Sequence, residues 1–246
     1  MKRQTLVETG DVGLISRAYN LGLKLVPNLP HVIALDDLEY WERNISELKL
    51  AVASGLLSRP AQANEAVIRE WESLYRELGI SCDLSQVVIP TDPGGLTRVL
   101  IMAQGVMPRW VYDKASGLFR CWKWTDRNLD EVITSDRTAK NGSYAIRVRD
   151  VVEADEDLKN LSADDIKKQK INTETFEERI MHEIKFFKET GKHLDVKNVT
   201  LCAASRCSDG HVPDVGWGEF FGELHVLWFV PGVAFYGLRA RRAVSN

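Results

Sequence analysis

Apolar residues recur at helical spacing over residues 34–56, where Leu35, Leu38, Trp41, Ile45, Leu48 and Val52 form one stripe. Glu39, Glu42, Arg43 and Lys49 fall off that stripe, and Gly55 and Pro60 close the run. A second helix is predicted from Ala61 or Ala63 to Leu78, with Val67, Trp71, Leu74 and Leu78 inward and Gly79 as its stop. Two such neighbours can pair as a hairpin, which gives an N-terminal helical region over 1–86.

The pattern changes after the turn cluster Pro90–Gly95. Residues 96–103 are almost continuously apolar and predict a strand closed by Gly105. A short helix follows from Pro108 to about Ala115, proline being tolerated in a first turn. Leu118–Trp124 alternates, and Tyr144–Val148 predicts a further strand. Residues 153–170 are acidic and then basic, anchored by Leu158, Leu161 and Ile166, as a solvated helical connection would be. Thr173 or Thr175 can cap a helix over 175–188 that gathers Phe176, Ile180, Ile184 and Phe187 on one face and stops at Gly191. Val199–Ala204 predicts another strand. Helices followed by a mixed unit of short strands define an α+β chain.

Charge and composition narrow the classes of function. The formal net charge of -3 gives no general attraction to nucleic acid or to an anionic membrane. No apolar run approaches the ~18 residues of a membrane span, and the opening residues lack an apolar stretch of signal-peptide length. A cytoplasmic protein is the expectation. Cys82, Cys121, Cys202 and Cys207 form no C-x-x-C pair and are too few for a disulfide framework, so reduced thiols are expected.

The residues after Leu201 carry the unusual signal. One set is regular: Val215 with Trp217, and Val226 with Trp228, are two apart, so each pair shares a strand face. Trp217, Glu223, Trp228 and Arg239 are read as scaffold. Between them stand Cys207, His211, Asp214, Gly216, Phe220, Phe221, His225, Leu227, Phe229, Gly232, Phe235 and Tyr236, which follow no packing logic. The run from Phe220 to Tyr236 has more apolar bulk than one buried face can use, and surplus apolar surface commonly marks a binding site. The alphabet is restricted as well. Fourteen lysines occur up to Lys197 and none after it, and glutamine and methionine are also missing from the tail. Lys, Glu, Gln, Met and Trp are the residues that pyrimidine-ended codons cannot specify. Glu219, Glu223, Trp217 and Trp228 are the exceptions, and three of these four belong to the scaffold set.

This tail resembles that of the variable (target) proteins of diversity-generating retroelements, whose C-terminal cassettes are rewritten by adenine-directed errors. The likeness is carried by Ser205-Arg206, Asp209-Gly210, Val212-Pro213, Val215, Trp217, Gly222-Glu223, Val226, Trp228 and Leu238-Arg239-Ala240-Arg241. It covers the last fifty residues and, more loosely, the helix and strand before them. The resemblance implies a C-type-lectin-like domain over 87–246, with Gly237-Leu238-Arg239 similar to the closing Gly-Phe-Arg strand of that fold, though Leu stands where Phe is usual and the chain runs on to Asn246. It implies a variable segment over about 205–242 and a ligand-binding role without chemistry, cofactor or metal, directed at a protein or surface ligand of unknown identity. The oligomeric state stays open.

Other chemistries are weaker. Cys202, Cys207, His211 and His225 lack a standard zinc spacing. Cys207, His211 and Asp209 could supply a thiol nucleophile with base and orienter, but they lie within five residues, whereas such groups are usually gathered from distant segments. A cysteine/histidine enzyme or metal protein therefore stays an alternative, as does an interaction protein with a fixed apolar interface. Asp36-Asp37 and Glu177-Glu178 are read as solvated carboxylates, and His182 and His193 as late-helix imidazoles that complement the dipole. Pro93-Gly94-Gly95 lacks the ending of a phosphate loop, and Cys121–Trp124 is read as a buried aromatic strand.

Overall fold

In the computed structural model, residues 60–246 are described, the side chains of residues 60–63 excepted. The helix over 34–56 and the pair Asp36-Asp37 lie outside them. The first helix, α1 (Pro60–Glu77), begins on proline and ends where Gly79 takes φ 88°. Its stripe of Trp71, Leu74, Tyr75 and Leu78 is buried. It packs into the same core as Leu100, Ile101 and Met102 of β1 (Arg98–Met102). The Tyr75 hydroxyl donates to the Ile101 carbonyl at 2.7 Å and accepts from the Ala103 amide at 3.0 Å, so two buried backbone groups are satisfied through one side chain. Residues Pro60–Asn246 form one compact unit that includes this helix.

The unit is α+β. After β1 come α2 (Pro108–Ser116), β2 (Cys121–Lys123), α3 (Leu129–Val132), β3 (Ile133–Ser135) and β4 (Tyr144–Val148). A 3-10 turn at Glu156–Leu158 leads to α4 (Ala163–Lys168) and α5 (Phe176–Thr190). The chain then runs through β5 (Val199–Leu201), β6 (Ser205–Cys207), β7 (Val212–Gly218), β8 (Glu223–Phe229), β9 (Leu238–Arg239) and β10 (Val244–Ser245). Three sheets result, with strand orders β1-β4-β10, β2-β8-β7-β5-β9 and β3-β6.

Helix α5 is the central post. Thr175 and Glu178 form a capping box at its start, and Gly191 closes it in the left-handed region at φ 67°. Phe176, Ile180 and Ile184 enter the main core with Val215, Leu224 and Val226 of the five-stranded sheet. A smaller core gathers Leu158, Ile166, Leu201, Val212 and Leu238, so residues 153–170 are anchored where the sequence placed their apolar positions. Glu177 and Glu178, read as solvated, are buried. Glu178 receives Arg137 Nε at 2.9 Å, Arg137 Nη2 at 2.6 Å and the Tyr144 hydroxyl at 2.9 Å. Glu177 receives the Ser135 hydroxyl at 2.6 Å. The partners come from β3, β4 and the loop between them, far away in sequence.

Candidate functional site

A buried charge network lies beneath the five-stranded sheet. Arg179 of α5 donates through Nε to Asp195 Oδ2 at 2.9 Å and through Nη1 to Glu183 at 2.8 Å. Arg241 Nη2 reaches Asp195 Oδ1 at 2.6 Å and the Val152 carbonyl at 2.6 Å, and the Thr200 hydroxyl donates to Asp195 Oδ2 at 2.5 Å. Arg179, Glu183, Asp195, Thr200 and Arg241 are all buried. Burial alone would raise the Asp195 carboxyl, but Arg241 and Arg179 outweigh it and hold the group below the usual range. His182, read as a late-helix imidazole, is buried against Glu174 with Nδ1 2.8 Å from Oε1. Burial, reinforced by the two arginines, lowers the His182 pKa and keeps its ring neutral, while burial raises Glu174 to about 7. His193 stacks on Trp217 at 3.3 Å between centroids and 4° between planes, with Nδ1 2.9 Å from Glu183. Trp217 is thereby clamped to the network.

The hairpin β7–β8 stands on this base in a fixed register, Val215 facing Val226 and Gly216 facing His225. Leu224 and Val226 point into the main core. Period-two alternation therefore puts Glu223, His225, Leu227 and Phe229 on the opposite face. Gly216 and Gly218 make that face thin: a Cβ on Gly216 would lie 2.7 Å from Val199 Cγ1, and one on Gly218 would lie 2.9 Å from the His225 ring. Glu223 is held by Arg120 at 3.2 Å and by His225 Nε2 at 3.0 Å. Arg239 is buried and donates to the Ala154 carbonyl at 3.3 Å.

The face outside this frame is apolar. Phe220 is 92% exposed, Tyr236 72%, Phe221 57% and Phe235 40%. Phe221 packs on His225 at 5.4 Å, Phe229 meets Phe235 edge-on at 5.3 Å, and Lys159 sits 4.8 Å over the Tyr236 ring. Leu227 is exposed between these groups, Gly232 is exposed, and His211 is half-buried. Cys207 lies on β6, and Asp214 and Gly216 face Leu227 and His225 across the hairpin. All three are buried, because β6 pairs with β3 and the middle of β7 is covered by β5 on one side and β8 on the other. Burial pushes the Cys207 thiol up to about 12 and the Asp214 carboxyl up to about 7, and Oδ1 of Asp214 has no hydrogen-bond partner.

Two further readings are corrected. Trp228 shares a face with Val226, yet it is 37% exposed and packs on His211 at 3.9 Å between ring centroids. It pairs with Pro213 near the end of the hairpin, beyond the last buried residue of its row. Trp122, read as part of a buried strand, is 47% exposed because β2 is the edge strand of its sheet, where it flanks His225 at 6.2 Å. The alternation in Leu118–Trp124 was the available signal; edge position was not legible. Among the described residues no group of three or more His, Cys, Asp or Glu is arranged to hold a metal ion, and no helix is long and apolar enough to cross a membrane.

Comparison of the chain with protein-family models, with curated proteins and with solved structures finds no match.

Proposed function

We propose that this chain is a ligand-binding protein diversified by a retroelement, with exchangeable side chains displayed on a C-type-lectin-like scaffold. One observation carries the reading: a row of large apolar side chains stands outside a frame that is fixed on its inner side. Of the twelve display candidates, nine are exposed or half-buried: His211, Phe220, Phe221, His225, Leu227, Phe229, Gly232, Phe235 and Tyr236. Phe220, Phe221, Leu227, Phe235 and Tyr236 can be exchanged with little folding cost, because the register is held by Val215, Leu224, Val226 and Trp217 instead, whereas Phe229 also packs on the smaller core. Aromatic rings supply large contact area for few rotatable bonds, which suits a binding face. The partner is a protein or surface ligand that meets this apolar patch.

The coding DNA tests the reading. The nine positions are expected to carry codons ending in C or T, with a near-identical template copy and a reverse-transcriptase gene nearby. Seven of the nine are Phe, Tyr or His, whose codons always end in a pyrimidine, so the deciding outcome is the template: its absence, or mismatches to it that do not fall at template adenines, would overturn the reading.

Trp122 favours a second reading. It lies outside the tail, yet it extends the same patch, as a fixed interface between copies would require. Sizing at two concentrations distinguishes the two, since a stable oligomer lost on Phe229→Ser and Phe235→Ser would support the fixed interface.

A further inference from the structure

A second surface, sharing no residue with the apolar patch, has the chemistry of an anion site. Between the end of α4 and the β5–β6 turn is an open cleft of about 320 Å³, lined in part by Arg137, Lys167, Lys170, Thr173 and Arg206. Ala203 and Ala204 also line it. Asp136 is the only acid in the lining. Arg137 is neutralised by Glu178. Lys167, Lys170 and Arg206 have no carboxylate partner among the described residues. With Asp136 subtracted, they leave an excess of about two positive charges facing the cleft. Arg206 spends Nη1 on the Ala203 and Ser205 carbonyls, both at 2.7 Å, which fixes the guanidinium and leaves its other N–H groups free to donate.

Two details separate this cleft from an ordinary basic surface. Thr173 is 1% exposed, and its hydroxyl has no hydrogen-bond partner. An orphan buried hydroxyl is unfavourable unless something binds it. Its backbone is pinned by the bridge to Arg242 and by Arg137, whose Nη2 donates to the Thr173 carbonyl at 2.5 Å, so rotation of the main chain cannot relieve it. The second detail is Lys170. Helix α4 ends with Lys170 N–H bonded to the Lys167 carbonyl and Ile171 N–H to the Ile166 carbonyl, both at 3.0 Å, with Lys170 at φ 54°. That left-handed position ordinarily takes glycine. Lys167 in the last turn also complements the helix dipole, but the dipole does not account for a lysine in place of glycine.

We propose that this cleft binds a phosphoryl dianion, as inorganic phosphate or as the phosphate of a small phosphomonoester. Two excess cationic charges match a dianion better than a carboxylate, whose single charge would leave one cation uncompensated. The Thr173 hydroxyl and the free Arg206 N–H groups supply directed donors, and the two lysines supply charge.

Titration calorimetry on the full chain at constant ionic strength tests this, with inorganic phosphate and glycerol 3-phosphate as separate probes. Saturable binding with Kd at or below about 1 mM is expected for at least one, with acetate at the same ionic strength failing to compete. Tighter binding of glycerol 3-phosphate would place the organic part in the cleft as well. Lys170→Gly is expected to weaken binding about tenfold while keeping or raising the melting temperature, because glycine suits the left-handed position. Thr173→Val, nearly isosteric, is expected to weaken binding about three- to tenfold. Absence of saturable binding for both probes, competition by acetate equal to that of phosphate, or unchanged affinity in both variants would overturn the proposal.

Discussion

The two halves of the five-stranded sheet invert the usual arrangement of charge and apolar bulk. Beneath it, Arg179, Asp195 and Arg241 are fully enclosed, and on the far side of β8 the rings of Phe220 and Tyr236 stand in water. Each inversion is locally unfavourable, yet they differ in what holds them. The interior ions are bound to one another and to backbone carbonyls, so every member depends on the others. The exterior rings meet one another and surface side chains, with Phe229 also touching the smaller core. The frame is therefore the part that does not tolerate change, and the patch is the part that does.

The largest expected effect comes from breaking the frame. Asp195→Ala leaves Arg179 and Arg241 buried without their shared partner and is expected to cost about 3–5 kcal/mol in urea unfolding, or to prevent folding. A loss below about 1 kcal/mol would show that the network is not what holds the sheet.

Asp214 sharpens the contrast because it is a buried carboxyl without a cation. Its folded pKa is raised to about 7 against an ordinary value of 3.8, so the native state binds the extra proton between those values. Stability from this group is therefore full below pH 4, falls as pH rises from about 4 to 7, and is level above, at about 1.4 kcal/mol per pKa unit. Asp214→Asn is expected to match the wild type at pH 4 and exceed it at pH 8. Subtracting the two unfolding curves isolates this slope from Glu174 and Glu177, which are also raised to about 7 by burial. An identical pH slope in both proteins would contradict it.

Gly216→Ala comes next, at about 1–3 kcal/mol, since the added Cβ would lie 2.7 Å from Val199 Cγ1 and 3.2 Å from the Asn198 carbonyl. The smallest effect is expected in the patch. Phe220→Ser and Tyr236→Ser should each change stability by less than about 0.5 kcal/mol in thermal melts, and a larger loss from either would mean that the rings belong to the frame.

The elements themselves were legible because they depend on local chemistry. The stripe Phe176, Ile180, Ile184, the cap at Thr175 and the stop at Gly191 specify α5 without help from the rest of the chain. Period-two spacing likewise assigned Val215, Trp217 and Val226 to the inner face of the hairpin. Long-range pairing was not legible in that way. Residues 133–135 lie beside 205–207 only in the folded chain, and that pairing buries Cys207. Flanking strands bury Asp214, edge position exposes Trp122, and the end of the core exposes Trp228.

What the sequence determined alone is the order of helices and strands, their caps and the side of each strand that seeks the core, because these are set by neighbours within about four residues. Only the tertiary structure decided which charges are buried and which rings are left outside. Burial and ion pairing depend on partners brought together from across the chain: Asp195 meets Arg179 across 16 positions and Arg241 across 46.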